Sequence, residues 1–236
     1  MIDNKLRRAF GTRIDTPWAR RWSALHYELF DHAILRRVWT NFYEIAPGVY
    51  RSNQPTHARL ERYAQMGIKT IINLRGPDKY AHYLFERESC AALGIELIDA
   101  KLWARAAATR ERILRLIDLF RTVEKPFLFH CKSGADRAGF ASAIYLMEIE
   151  GLPLEEAQKQ LNWRYYHLKS TKTGVLDYIL ERYGAFATHT PISFEDWVRT
   201  EYDAKTIQAE FDRRPLPLLR RPCRHTRSCT ILRARK

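Results

Sequence analysis

Three short apolar runs, rich in β-branched or aromatic residues, alternate with helical segments in this sequence. The runs are KTIINLR (69–75), IELID (95–99) and FLFH (127–130). The segments between them have a helical apolar period and end at Gly94 or at Lys125-Pro126. Buried strands that alternate with helices are typical of a parallel sheet. The segment YEIAPGVYRS (43–52) adds a hairpin around Pro47-Gly48, so we expect an α/β fold with a central, mostly parallel sheet of four to five strands flanked by helices.

Apolar periodicity and Gly or Pro stop signals place the helices. They are predicted at 56–67, 83–93, 109–123, 138–150, 154–163, 174–186 and 193–212. A further helix begins at Pro17, with Thr16 as its N-cap, and carries the stripe Trp18, Trp22, Leu25 and Leu29. We expect this stripe to pack on the domain. The alternative is a helix in a membrane surface, flanked by Arg20, Arg21, Arg36 and Arg37.

The net charge of +13 is confined to the two ends of the chain. Residues 213–236 contain nine basic groups, three Pro and no acid, whereas the segment 41–212 has balanced charge. We therefore predict a helical extension (1–40), one folded domain (41–212) and a disordered basic tail (213–236). A solvated tail is the simplest expectation, and weak contact with an anionic membrane or nucleic acid is the alternative. The oligomeric state is left open.

Cysteine usage and hydropathy predict a protein of the reducing cytoplasm. Four Cys are too few for a disulfide scaffold, and no run of about 18 apolar residues is present. The polar start of the sequence does not resemble a secretory leader. We expect Cys90 to be an inert core residue, place Cys223 and Cys229 in the tail, and find no Cys/His spacing that fits zinc. Peripheral contact with a membrane is the alternative location.

The segment PFLFHCKSGADRAGF (126–140) joins a strand to a helix through a short polar loop. Such a loop lies at the carboxyl edge of a parallel sheet, where its N–H groups and the positive end of the helix form an anion site. Gly134 permits a backbone conformation that a β-carbon resists. The positive field favours the thiolate form of Cys131, and Arg137 can hold two phosphate oxygens at once. A nucleophile beside an anion-binding loop indicates covalent phosphoryl transfer.

The pattern His130-Cys131-x5-Arg137 resembles the signature of the cysteine-dependent protein tyrosine phosphatases, in particular their compact dual-specificity-like branch. GVYRSNQP (48–55) and TIINLRG (70–76) resemble the segments that precede the catalytic loop in that branch. The resemblance implies that Cys131 attacks phosphorus, and that Lys132, Ser133, Gly134, Ala135, Asp136 and Arg137 bind the phosphate. It further implies that His130 and Arg75 support the loop. No metal or other cofactor is expected.

The sequence departs from the family at Ala138, where most members carry Ser or Thr. That hydroxyl aids breakdown of the phosphoenzyme, so we expect slower turnover, partly restored by Ser133. The general acid has two candidates. Asp136 matches the loop acid of myotubularin-like enzymes, and Asp99, 32 positions before Cys131, matches the mobile-loop acid of dual-specificity phosphatases.

The resemblance leaves two substrate classes open. Phosphotyrosine or phosphoserine/threonine in proteins is the expected class. The alternative is a phosphoinositide, because Lys132 stands where tensin-like lipid phosphatases carry a Lys, although their second loop Lys is replaced by Ala135. A phosphate-binding pseudophosphatase is a further alternative, which the presence of Cys131 and Arg137 disfavours.

Overall fold

The protein is seen in a computed structural model, which describes residues 11–214. The strands are β1 (Tyr43–Ala46), β2 (Val49–Asn53), β3 (Thr70–Asn73), β4 (Glu96–Asp99) and β5 (Phe127–Cys131). They form one sheet in the order β1-β2-β5-β3-β4, in which only the β1–β2 pair is antiparallel. The predicted α/β fold with a mostly parallel sheet is confirmed. The predicted tail falls almost entirely at 215–236, which lies outside the described residues, as do Cys223 and Cys229.

The described helices surround this sheet. They are α1 (Pro17–Leu29), α2 (Ala33–Val38), α3 (His57–Gln65), α4 (Ala81–Ala92), α5 (Arg110–Thr122), α6 (Asp136–Glu148), α7 (Leu154–Ala157), α8 (Val175–Ala187), α9 (Phe194–Thr200) and α10 (Ala204–Asp212). Two helix predictions need correction. The segment 154–163 forms only one α-helical turn before short 3-10 turns, and 193–212 breaks into two helices because Asp203 caps α10 through its side chain.

Alternation along β5 divides the core between the two faces of the sheet. Phe127, Phe129 and Cys131 pack with α5, α6 and α8, whereas Leu128 packs against α3 and α4. Because successive side chains of a strand point to opposite faces, His130 lies on the α4 side and Cys131 on the α6 side. The nucleophile candidate and its neighbour therefore have different surroundings.

The N-terminal helix packs on the domain through its polar face, so the prediction for its apolar stripe was wrong. The buried residues of α1 are Ser23 and His26, and His26 stacks on Tyr80 with ring centroids 5.7 Å apart. Trp18 and Leu29 are instead exposed. Of the flanking cations, Arg20 pairs with Glu88, and Arg36 is buried beside Asp31. Among residues 11–214, no helix combines the length and hydropathy needed to span a bilayer.

Candidate active site

Cys131 is the last residue of β5, the central strand, and its side chain is almost fully buried. It lies in register with Asn53 of β2, and β3 ends beside the preceding residue, where Asn73 pairs with His130. The loop 132–135 follows, and α6 begins at Asp136. The predicted junction of strand, loop and helix thus stands at the carboxyl edge of the sheet, where an anion would meet the positive end of α6.

The loop carbonyls are held by donors from outside the loop. Arg51 Nη2 donates to Gly134 O (2.6 Å) and to Ala135 O (3.2 Å). Asn41 Nδ2 donates to Ser133 O (3.1 Å), and the Gln54 N–H donates to Lys132 O (3.4 Å). In a trans peptide the N–H points away from the carbonyl, so the N–H groups of residues 133–136 face the opposite side of these peptide planes. Four consecutive carbonyls anchored on one side turn the N–H groups of residues 133–136 toward an anion on the other, and among these only the Ala135 N–H makes a long bond within the loop.

Gly134 is required by both its conformation and its surroundings. Its φ is +72°, in the region that favours glycine. A β-carbon there would lie 2.7 Å from Asn53 N and 2.8 Å from Ser52 C, which are backbone atoms. The loop therefore approaches β2 too closely for any side chain at this position.

Arg137 lies in the first turn of α6, and its Nε is buried without a hydrogen-bond partner among residues 11–214. A buried guanidinium N–H without a partner is costly unless a ligand satisfies it. Ala138 is fully buried in the core, so the family hydroxyl is missing from this turn. Ser133 Oγ accepts a long bond from the Ala135 N–H (3.4 Å), which keeps the loop hydroxyl near the cradle.

His130 is fully buried on the opposite face from Cys131. Its Nε2 approaches Glu86 Oε1 to 2.8 Å, although the two atoms are not aligned as a hydrogen bond. The other Glu86 oxygen accepts from Gln54 Nε2 (2.7 Å). Gln54 also carries a backbone bond to the loop, so Glu86 connects His130 with the loop support. The supporting role of His130 stays a prediction.

Asp136 belongs to a buried network that the sequence did not predict. Its Oδ1 lies 2.8 Å from His167 Nδ1, and His167 Nε2 lies 2.7 Å from Asp177 Oδ2. Burial alone would lower the pKa of His167, but hydrogen bonds to Asp136 and Asp177 outweigh it and raise the pKa to about 9. His167 is therefore an imidazolium at neutral pH, and it donates to both carboxylates.

Asp99 has structural partners on both carboxylate oxygens. Oδ1 accepts from Asn73 Nδ2 (2.8 Å), and Oδ2 accepts from Tyr83 OH (2.7 Å). Burial, followed by the hydrogen bond to Asp99, raises the pKa of Tyr83 to about 12. Asp99 thus fastens the end of β4 to β3 and α4.

Arg75 and Lys132 converge on Asp31, which lies between α1 and α2. The rim of the loop therefore contacts Asp31, a residue of the segment that the sequence predicted as a helical extension. Sequence reasoning missed four buried polar residues: Asp31, Arg51, Glu86 and Asp177. Their ion-pair and hydrogen-bond partners stand up to 109 positions away in the chain, and no local sequence pattern predicts such pairs. Among the residues described, no group of three or more His, Cys, Asp or Glu side chains is arranged to hold a metal ion.

The family comparison agrees with this geometry. The model of the family described as "DSP-PTPase phosphatase fused to NAD+ Kinase" matches residues 41–172, more than half of the chain. The chain belongs to this family. The match to the DSP-PTPase family includes every loop residue from Cys131 to Arg137, and both acid candidates.

Individual relatives are distant. The dual specificity protein phosphatase TpbA of Pseudomonas aeruginosa (strain UCBPP-PA14) is 22% identical over 123 residues, which are 51% of this chain and 53% of TpbA. The chain therefore spans about half the length of this curated relative.

Two solved structures align with part of the chain. The crystal structure of P. aeruginosa TpbA has a TM-score of 0.49 at 16% identity, covering 73% of this chain and 91% of TpbA. The core catalytic domain of the PP-IP phosphatase SIW14 from S. cerevisiae, in complex with citrate, has a TM-score of 0.47 at 17% identity, covering 65% and 96%.

Proposed function

We propose that this protein hydrolyses phosphate monoesters through a phosphocysteine at Cys131. The observation that carries the proposal is the cradle itself. Four outward-anchored carbonyls, the N-terminus of α6 and the unpartnered Nε of Arg137 surround the end of β5. An anion cradle around a buried thiol fits a phosphoryl group better than it fits a structural cysteine.

The first step forms an S–P bond and breaks the P–O bond of the ester. The thiolate of Cys131 supplies the electron pair, and the leaving oxygen takes a proton from a carboxylic acid. In the second step water forms a new O–P bond while the S–P bond breaks. The same carboxylate takes a proton from that water, and inorganic phosphate leaves. Arg137 and the loop N–H groups neutralise the charge on the equatorial oxygens in both steps.

We assign the acid to Asp136. His167 holds its Oδ1, whereas its Oδ2 makes no hydrogen bond within the described part of the chain and is free to exchange a proton. In the first step the Asp136 carboxyl must carry a proton, which Oδ2 delivers to the leaving oxygen. After that proton is lost, the His167 imidazolium stabilises the carboxylate that serves as base. Asp99 is the weaker candidate because both of its oxygens already accept hydrogen bonds.

The substrate class that we propose is phosphotyrosine or phosphoserine/threonine in proteins. Lys132, the feature that favours phosphoinositides, is paired with Asp31 at 3.2 Å and so is partly neutralised. The phosphoinositide alternative rests on the position of Lys132 directly after Cys131, and on its side chain being 37% exposed. A location in the cytoplasm, with peripheral membrane contact as the alternative, remains our prediction.

Substitution of Cys131 tests the mechanism. We expect Cys131→Ser to abolish p-nitrophenyl phosphate hydrolysis while binding of vanadate or phosphate persists. Cys90→Ser is the matched control, because Cys90 is a second buried thiol, and burial raises its pKa to about 12. Retention of more than a trace of activity in Cys131→Ser would refute the covalent mechanism.

Leaving-group dependence tests the acid. Asp136→Asn should slow phenyl phosphate far more than p-nitrophenyl phosphate, by about a hundred- to ten-thousandfold, because a good leaving group departs without a proton. Asp99→Asn is the matched variant and should slow both substrates alike. If Asp99→Asn alone shows the selective loss, the assignment moves to Asp99.

A further inference from the structure

The N-terminal segment places a buried carboxylate against the rim of the catalytic loop. Asp31 lies between α1 and α2 and is 7% exposed. Arg36 donates from Nη2 to Asp31 Oδ2 (2.7 Å) and from Nη1 to the Asp31 carbonyl (2.7 Å). Arg36 is itself buried, so it fixes Asp31 from behind.

Two further cations reach Asp31 from the catalytic side. Arg75 contacts both oxygens, Oδ2 at 3.0 Å and Oδ1 at 2.9 Å. Lys132 Nζ lies 3.2 Å from Oδ1. Burial alone would raise the pKa of Asp31, but Arg75, Arg36 and Lys132 together hold it well below its ordinary value. Asp31 is thus a permanent negative charge at this place.

The charge matters for the substrate because Lys132 directly follows Cys131. Lys132 and Arg75 would otherwise form a cationic pair at the loop rim, suited to a second phosphate of the substrate. Asp31 already pairs with both cations, and its charge repels another anion. A substrate with a single phosphate makes no demand on this pair.

We propose that Asp31 is a specificity-determining residue that excludes substrates carrying a second phosphate next to the scissile one. The inference rests on the proposed function and narrows its substrate class to singly phosphorylated esters. The residue belongs to the segment that precedes the family match, so the extension, and not the family domain, sets this selectivity.

The test compares kcat/KM for a phosphotyrosine peptide with kcat/KM for two multiply phosphorylated probes. Inositol 1,4,5-trisphosphate is the soluble probe, and short-chain phosphatidylinositol 3,4,5-trisphosphate is the lipid probe. Asp31→Asn should raise the ratio of multiply to singly phosphorylated turnover by about ten- to a hundredfold, which is the range of one charge-assisted hydrogen bond. A gain on the lipid probe alone would show that the acyl chains, and not the second phosphate, are selected, and would overturn the inference.

Two further variants complete the design. Adding Lys132→Met to Asp31→Asn should remove the gain, because Lys132 is the cation that Asp31 releases. Asp15→Asn removes an exposed charge from the same segment and should leave the ratio unchanged. If Asp31→Asn does not fold, the Lys132→Met variant alone tests the proposal. With Asp31 in place, Lys132 should not serve a second phosphate, so the ratio of multiply to singly phosphorylated turnover should stay constant. A selective loss of multiply phosphorylated turnover would overturn the proposal.

The outcomes separate the two proposals. If wild-type protein hydrolyses p-nitrophenyl phosphate but Asp31→Asn leaves the ratio unchanged, the inference about Asp31 is wrong and the proposed function stands. If wild-type protein hydrolyses no phosphate monoester, the proposed function fails and the inference fails with it.

Discussion

The network around His167 makes stability depend on pH in a defined window. The His167 pKa rises from an ordinary 6.5 to about 9 in the folded chain, because Asp136 and Asp177 hold its proton. A group whose folded pKa is raised stabilises fully below its unfolded pKa, and the contribution is lost as the pH rises through the folded pKa. We therefore expect the free energy of unfolding to fall between about pH 6.5 and pH 9. At 1.36 kcal/mol for each unit of pKa, the rise in the His167 pKa corresponds to a loss of about 3 kcal/mol in the free energy of unfolding.

Urea unfolding at pH 6.0 and pH 9.5 measures this loss. His167→Asn should abolish the difference between the two pH values, and Asp177→Asn should reduce it, because one of the two carboxylates remains. His189→Asn is the matched control, since His189 is exposed and should leave the difference as in the wild type. NMR titration of the His167 imidazole provides a direct value of its pKa.

Two results would contradict this reasoning. One is a wild-type protein that loses no stability between pH 6.0 and pH 9.5. The other is a His167→Asn variant with the same loss as the wild type, which would assign the effect to another group. His82 is not that group, because burial lowers its pKa to about 3, and its contribution changes on the acidic side.

Two other substitutions test the support of the loop. Gly134→Ala should destabilise the protein by about 2–5 kcal/mol in thermal unfolding, because left-handed strain adds to overlap with the backbone of β2. Gly94 also has a positive φ but open space around it, so Gly94→Ala should lose only about 1–2 kcal/mol. Equal losses would show that crowding at Gly134 is unimportant. Arg51→Lys should lower the free energy of unfolding by about 2–3 kcal/mol and lower kcat, because a lysine cannot donate to Gly134 O and Ala135 O together as Arg51 does. Arg164 is an exposed arginine that contacts the same Tyr165 ring, and Arg164→Lys should change neither quantity. An unchanged free energy of unfolding in Arg51→Lys would show that Arg51 does not anchor the loop.

The sequence alone predicted a structural feature correctly wherever one continuous segment contains all the residues that form it. The alternation of apolar runs and helices predicted the sheet, and Gly94 and Lys125-Pro126 marked the ends of their helices. The order of Cys131, Gly134 and Arg137 predicted a cradle, because strand, loop and helix follow one another without interruption. Periodicity failed at Asp203, where a side-chain cap divides one predicted helix into two.

The tertiary structure decided which charges face one another. Asp136 and Asp99 are both candidates in the sequence, and only the fold places His167 beside one and Tyr83 beside the other. The stripe on α1 predicted the wrong buried face, because Ser23 donates to the Arg13 carbonyl and His26 stacks on Tyr80. No sequence pattern around Asp31 indicates a role for it. Its effect depends on three cations brought together by folding, because electrostatic interactions depend on distance in space and not on separation along the chain.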